Sequence, residues 1–370
     1  MVRQAHNLFK DAAERQEFLE ALMAGESREQ AIIVIDDKPE IRTFPKIRPF
    51  AWQPDFVHRI NDDYRASKHP LHAKGAFYCL DFSSIFSISA LKEVKIRPAN
   101  ILDMCSAPGG KAIFAWRYFR PDHIVCNESF KARARTLIGN LDRCKITRSI
   151  VWTADPSVWG RKYPGAFDLI ICDVPCSGQS LLAKGDEVEG AFTPANIDMC
   201  VGRQRRIMAQ SIKALRPGGY ILYCTCTYAI KENEKLVAWI LDNHPELEAV
   251  ELPHLAEYRS PFSEFFSYRL YPQAGLGAGA FTCLLRNKEE EIEAEYDLSE
   301  IKATWRYGDP FEKSESKDIG ITEDDGLFPK VAKKKRQHFA PQKDWRKPRP
   351  IYMGRSNNRG KAKPKPKPNK

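Results

Sequence analysis

Five short apolar runs, NILDMC, DHIVCNE, RSIVWTAD, FDLIICDVP and GYILYCTCT, follow one another from residue 100 onward. Between them lie segments of helical period, among them SFKARARTLIGNLDRC and TPANIDMCVGRQRRIMAQSIKALRPGG. The second of these ends in a Pro-Gly-Gly breaker just before the next apolar run. Strands joined through helices cannot pair as tight hairpins, so the alternation implies parallel pairing, with helices covering both faces of a doubly wound α/β sheet. After residue 234, EKLVAWILDNH reads as a helix, LEAVELP as a strand and AFTCLLRN as a last strand free to return antiparallel. The expectation is a sheet of seven strands, mostly parallel, over residues 99–287.

The flanks differ in texture. Residues 1–98 hold a charged helix, DAAERQEFLEALMAG, a short strand, QAIIVID, and connections rich in proline around Pro45, Pro49 and Pro54, as expected of a small α/β accessory unit. Residues 288–329 form an acidic and aromatic extension with Trp305 and Tyr307, which either packs on the body or stays loose. Residues 330–370 carry 16 Lys and Arg against one acid, Asp344, whereas the rest of the chain holds more acids than bases. This tail has too little aliphatic surface to offset the entropy of ordering and is expected to be disordered. Its cations, with Phe339, Trp345 and Tyr352 among them, suit phosphate contact and base stacking in a nucleic-acid tether; a solubilising extension is the alternative. The ten cysteines are expected to be reduced in a cytoplasmic protein, because the N-terminus has no apolar signal core. No apolar stretch approaches the roughly 18 residues a spanning helix needs.

Three features carry chemistry. LDMCSAPGGKA, residues 102–112, is a strand ending in a small-residue turn and a helix start, where Gly109 and Gly110 let the backbone approach a ligand. It is neither G-x-G-x-x-G nor a P-loop, which weakens dinucleotide and NTP readings. Acids stand at three successive strand ends, Glu128, Asp155 and Asp173. Each alone reads as a cap or a solvated acid; together they favour a cofactor with a ribose and a base. Cysteines stand beyond two neighbouring strand ends, Cys176 in CDVPCSGQ and Cys226 in YCTCTYAIKENE. Cys224 and Cys226 could also be a redox pair, but that leaves Cys176, the acids and the Gly-Gly turn without a role. No cluster with zinc spacing is present, so no metal is expected.

DMCSAPGGK, DVPCSG, RQRRIMAQSIKALRPGGYILYCTCT and KENE, in this order, closely resemble the Sun/Fmu-type, NSUN/RsmB-like RNA (cytosine-5)-methyltransferases that use S-adenosylmethionine. The resemblance covers roughly residues 70–285, including HAKGAFYCLDFSSIFSISAL and RLYPQAGLGAGAFTCLLR. It implies a Rossmann-like class I methyltransferase fold. It also implies that Cys226 attacks cytosine and that Cys176 aids product release. Asp173, supported by Lys111, would stabilise the adduct. The cofactor would lie against Cys105, Ser106, Ala107, Pro108, Gly109, Gly110 and Lys111, with Glu128 on ribose, Asp155 near adenine and Asp173 near the methionine end.

The chain departs from the family pattern at Cys224, where Ser is usual, at Leu80-Asp81, where Gln-Glu is common, and in CSGQSLLAKGDEVEGAFTP, which lacks the usual Pro and Trp. That loop lies on the substrate side, so the RNA target stays open: ribosomal RNA first, tRNA second. A monomer is expected. The competing reading is a non-catalytic RNA-binding ribosome-assembly factor that keeps the fold.

Overall fold

Strand order in the main sheet follows from the alternation of strand and helix. β4 (Asn100–Asp103), β5 (His123–Asn127), β6 (Ser149–Trp152), β7 (Phe167–Asp173) and β8 (Leu215–Thr225) are joined by helices at Gly110–Phe119, Lys131–Arg143, Ser157–Lys162 and Pro194–Ala214. The pairs β4·β5, β5·β6, β4·β7 and β7·β8 are all parallel, as crossover connections require. The order runs β6-β5-β4-β7-β8, so the chain winds outward from β4 in one direction and from β7 in the other. Ligands in such sheets bind outside the strand ends at this reversal.

The computed structural model describes residues 1–290, 296, 298 and 301–309, which belong to one compact unit. The expectations for the basic tail and for residues 310–329 lie outside the described residues. The seven expected strands are all present, and the last, β11 (Ala280–Asn287), returns antiparallel against β8. Two strands were not foreseen. β10 (Tyr268–Leu270) pairs with β11 beside β9 (Leu247–Ala249), and β12 (Trp305–Arg306) pairs antiparallel with β6. The main sheet therefore has nine strands. Part of the acidic and aromatic extension thus packs on the body: Leu298, Ile301 and Trp305 are buried, and Thr304 N–H donates to Val151 O at 2.7 Å.

Both faces of the sheet are covered. Ile101, Ile124, Leu169 and Leu222 pack on one side with Phe114, Leu137 and Leu141, while Leu102, Val125, Ile170 and Ile221 pack on the other with Trp159, Met208 and Ile240. Truncating such a buried aliphatic side chain to Ala costs about 2–5 kcal/mol. Residues 1–98 supply a separate antiparallel sheet, β1 (Gln30–Val34) flanked by β2 (Val57–Ile60) and β3 (Phe77–Asp81). Its following helix, Phe82–Ile88, sinks into the main core through Phe82, Ile85 and Phe86.

Candidate active site

β4 ends at Asp103, and the chain then turns through residues 104–109 into the helix at Gly110. Gly109 holds φ +112, which a side chain would strain, and a Cβ on Gly110 would press to 3.2 Å from the Tyr78 ring. Neighbours pin the turn. Met104 N–H donates to Ile171 O, Ser106 N–H to Asn127 O, Arg133 to Ala107 O and Asn140 to Pro108 O. Tyr78, Leu80, Asp103, Ser106, Lys111 and Asp173 line a pocket against it.

Two groups in this pocket want a partner. Asp103 is 1% exposed, and neither of its carboxylate oxygens has a hydrogen bond; the Ser106 hydroxyl beside it is likewise unpaired. Burial pushes the Asp103 carboxyl up to about 7, and the nearby Ser106 only partly offsets this. A polar, partly cationic ligand would satisfy both groups. Asp103 was not singled out from the sequence, where it reads as the last residue of a strand.

The predicted acids occupy distinct positions. Glu128 is buried; it accepts a bond from Phe130 N at 3.0 Å and pairs with Arg133 at 3.1 Å. Asp155 is half exposed, accepts from Ser157 N at 2.9 Å and lies 3.6 Å from Arg206. Burial opposes its charge, but the Ser157 bonds and Arg206 hold its pKa below the ordinary value. Asp173, at the end of β7, receives the Lys111 ammonium at 2.6 Å. Burial works against the Lys111 charge, yet Asp173, Cys224 and Asp103 together outweigh it and raise the Lys111 pKa.

The two candidate catalytic cysteines meet. Cys176 Sγ lies 3.3 Å from Cys226 Sγ. The bond from the Cys176 thiol lowers the pKa of Cys226 against the opposing effects of burial and Asp173, with Lys111 and Lys184 adding to the lowering. Cys176 moves the other way: the same bond, burial and the Cys226 charge raise it well above a free thiol. The bond thus favours Cys226 as the thiolate of the pair. Cys224 sits behind them; it faces Asp173 Oδ1 at 3.7 Å, and burial raises its thiol pKa. Cys105 is held protonated by burial in the same way.

The acidic run after Cys226 is not a solvated face. Glu232, Asn233 and Glu234 are all buried. Asn233 accepts from Thr225 Oγ1 at 2.7 Å and donates to Thr227 O at 2.9 Å. Glu234 pairs with Arg269 at 2.5 Å. Glu232 takes bonds from the Cys176 turn, described below. Sequence reasoning gave these residues no role; an acidic run directly behind a reactive strand end is the signal that could have found them.

Residues 93–286 match the family model described as 16S rRNA methyltransferase RsmB/F. A relative from Klebsiella pneumoniae (strain 342), ribosomal RNA small subunit methyltransferase F, is 32% identical over 256 residues, covering 65% of this chain and 53% of that protein. Its Citrobacter koseri counterpart is 33% identical over 222 residues, covering 58% and 46%. The chain thus spans about half the length of these curated relatives. Among solved structures, a methyltransferase homolog protein from Pyrococcus horikoshii superposes with a TM-score of 0.64 at 22% identity, covering 77% of this chain and 93% of that one. NSun6 from Pyrococcus horikoshii, solved with SFG, superposes with a TM-score of 0.64 at 18% identity, covering 78% and 98%. At these identities the likeness establishes the Rossmann-like methyltransferase fold.

Proposed function

Since the chain belongs to the family of 16S rRNA methyltransferases RsmB/F, we propose that it methylates carbon-5 of a cytosine in ribosomal RNA. Cys226 is the nucleophile and Cys176 assists release. The observation that carries this reading is the 3.3 Å approach of the two thiols at strand ends beside the Lys111–Asp173 pair.

Carbon-5 of cytosine is a poor nucleophile. Addition of the Cys226 thiolate to carbon-6 forms an S–C bond and moves the 5,6 double-bond electrons to carbon-5, which can then attack an electrophile. S-adenosylmethionine, when bound, supplies the electrophilic methyl. Asp173, oriented by Lys111, bonds the cytosine ring edge and steadies the adduct. Once Cys226 is a thioether, its charge no longer opposes ionisation of Cys176, whose proton can pass to solvent. The Cys176 thiolate then takes the carbon-5 proton, the ring double bond re-forms, and the C6–S bond breaks to return the Cys226 thiolate.

The unpaired atoms of Asp103 and Ser106 support a cofactor at the β4 turn. Residues Cys105 to Lys111 would follow its methionine and ribose portions, with Glu128 on the ribose hydroxyls, Asp155 on the adenine side and Asp173 at the methionine end. Leu80 lies between this pocket and a wider cleft lined by Arg28, Arg65 and Lys184 and by the acids Glu26, Glu29, Asp62, Asp81 and Asp186. Ribosomal RNA as substrate implies a cytoplasmic site of action, and the protein works as a monomer. No described helix is long and apolar enough to cross a membrane.

The test is incubation with methyl-labelled S-adenosylmethionine and unmodified ribosomal RNA or tRNA in parallel. Label on carbon-5 of cytosine in ribosomal RNA is the expected result. Cofactor binding without transfer to any RNA would leave only the assembly-factor reading.

A further inference from the structure

One carboxylate grips the residues that follow both catalytic cysteines. Glu232 is 0% exposed. Its Oε2 accepts from the Ser177 N–H at 2.9 Å and from Gln204 Nε2 at 2.9 Å, and its Oε1 accepts from the Ser177 hydroxyl and from Thr227 Oγ1 at 3.4 Å. Ser177 directly follows Cys176, and Thr227 directly follows Cys226. The two hydroxyls also meet each other at 2.8 Å. Gln204, on the Pro194–Ala214 helix, holds the same turn from behind by donating to Pro175 O at 3.1 Å. Tyr223 OH donates to the Glu232 carbonyl at 2.6 Å, so the clamp is itself tied to β8.

We propose that Glu232 is a positioning residue for the methyl-transfer reaction: it locks the Cys176 turn and the Cys226 turn to one another and so sets the sulfur–sulfur distance on which release depends. The role in catalysis rests on the cytosine-methylation reading; the geometric role does not. Among the described side chains outside the two turns, only Glu232 bonds both Ser177 and Thr227. A buried carboxylate is costly unless its lone pairs are filled; the Ser177 N–H, the Ser177 hydroxyl and Gln204 Nε2 fill these, and the Thr227 hydroxyl joins them through Ser177. Its charge also faces Cys176 and adds to the raised pKa of that thiol. Lys111, Lys184 and Asp173 are the other charged groups facing Cys226.

The experiment reads the thiols directly, without RNA or cofactor. Diamide oxidises Cys176 and Cys226 to a disulfide by accepting their two electrons and two protons, and the rate of closure reports how well the sulfurs are held together. In the full chain, with the linked pair identified by peptide mass, Glu232→Ala should slow closure by about tenfold or more, on the scale at which lost positioning is felt. Glu232→Gln, which keeps the shape and can re-pair with rotated hydroxyls, should restore much of the rate. Unchanged closure in folded Glu232→Ala would overturn the proposal. If that variant does not fold, Ser177→Ala and Thr227→Val decide it, since each cuts one arm of the clamp: slower closure in either supports it, and wild-type rates in both overturn it. With ribosomal RNA present, Glu232→Ala should also retain a covalent protein–RNA band. A wild type that transfers no methyl while closure still depends on Glu232 would refute the methyltransferase reading and leave the clamp intact.

Discussion

The Lys111 ammonium lies 2.6 Å from the Asp173 carboxylate, joining the first turn of the helix after β4 to the end of β7 across the point where strand order reverses. Lys111 is largely buried and Asp173 partly open to the pocket, so the pair leaves one carboxylate face for a ligand while keeping the cation out of water.

Removing the cation should therefore uncouple cofactor binding from chemistry. Lys111→Met is expected to reduce methyl transfer by about 100-fold, the scale seen when an electrostatic partner of a reacting centre is deleted. Single-turnover kinetics with saturating cofactor check this. An unchanged rate would mean that the pair only holds the fold.

The two cysteines should fail differently. Cys226→Ala is expected to abolish both transfer and the covalent RNA adduct. Cys176→Ala should permit adduct formation and accumulate a denaturant-resistant protein–RNA band. The reverse pattern on a denaturing gel would exchange their roles.

Cys226 should also react as a thiolate at lower pH than a free thiol. The cause is mainly the bond from Cys176, so the Cys226 alkylation rate by iodoacetamide, which follows the thiolate fraction, should rise at lower pH in the wild type than in Cys176→Ala. Peptide mass analysis after timed alkylation separates Cys226 from the buried thiols. A variant profile displaced to lower pH would contradict the donor assignment.

Asp103 predicts a pH dependence of stability. Burial raises its carboxyl from 3.8 to about 7 in the folded protein. Between these values the folded chain keeps a proton that the unfolded chain gives up. The contribution to stability is therefore full below the unfolded value and is lost as pH rises through about 7. Asp103→Asn, which mimics the protonated form, should remove this slope and be stabilising at pH ~8 by up to about 4 kcal/mol. Urea unfolding of both proteins at acidic and alkaline pH measures it; a difference independent of pH would rule it out.

The central strands were legible because each is a continuous apolar run bounded by turn residues, the pattern that strands buried on both faces produce. β10 and β12 were not, since three and two residues carry no period; their pairing is decided by the neighbours they dock on. In the site, Cys176, Cys226 and Asp173 could be singled out because strand-end loops are where α/β sheets keep ligands, whereas Lys111 came only from the family resemblance. Glu232 could not. KENE entered only as part of the family resemblance, with no role for its acids, and the convergence of Ser177, Gln204 and Thr227 from other segments is what makes Glu232 buried and paired. Asp103 escaped for the opposite reason: its backbone ends a strand, and nothing in the local sequence tells that both its oxygens lack partners.

β12 has a consequence for how the molecule behaves in company. Trp305 and Arg306 occupy the backbone groups of Ile150 and Val151 on the outer side of β6, which would otherwise form an open rim on a sheet of apolar strands. A chain cut after Asn287 would keep every proposed catalytic group and expose that rim as a template for another chain's strand. The short segment around Trp305 thus closes part of the sheet edge and lies apart from the proposed catalytic groups.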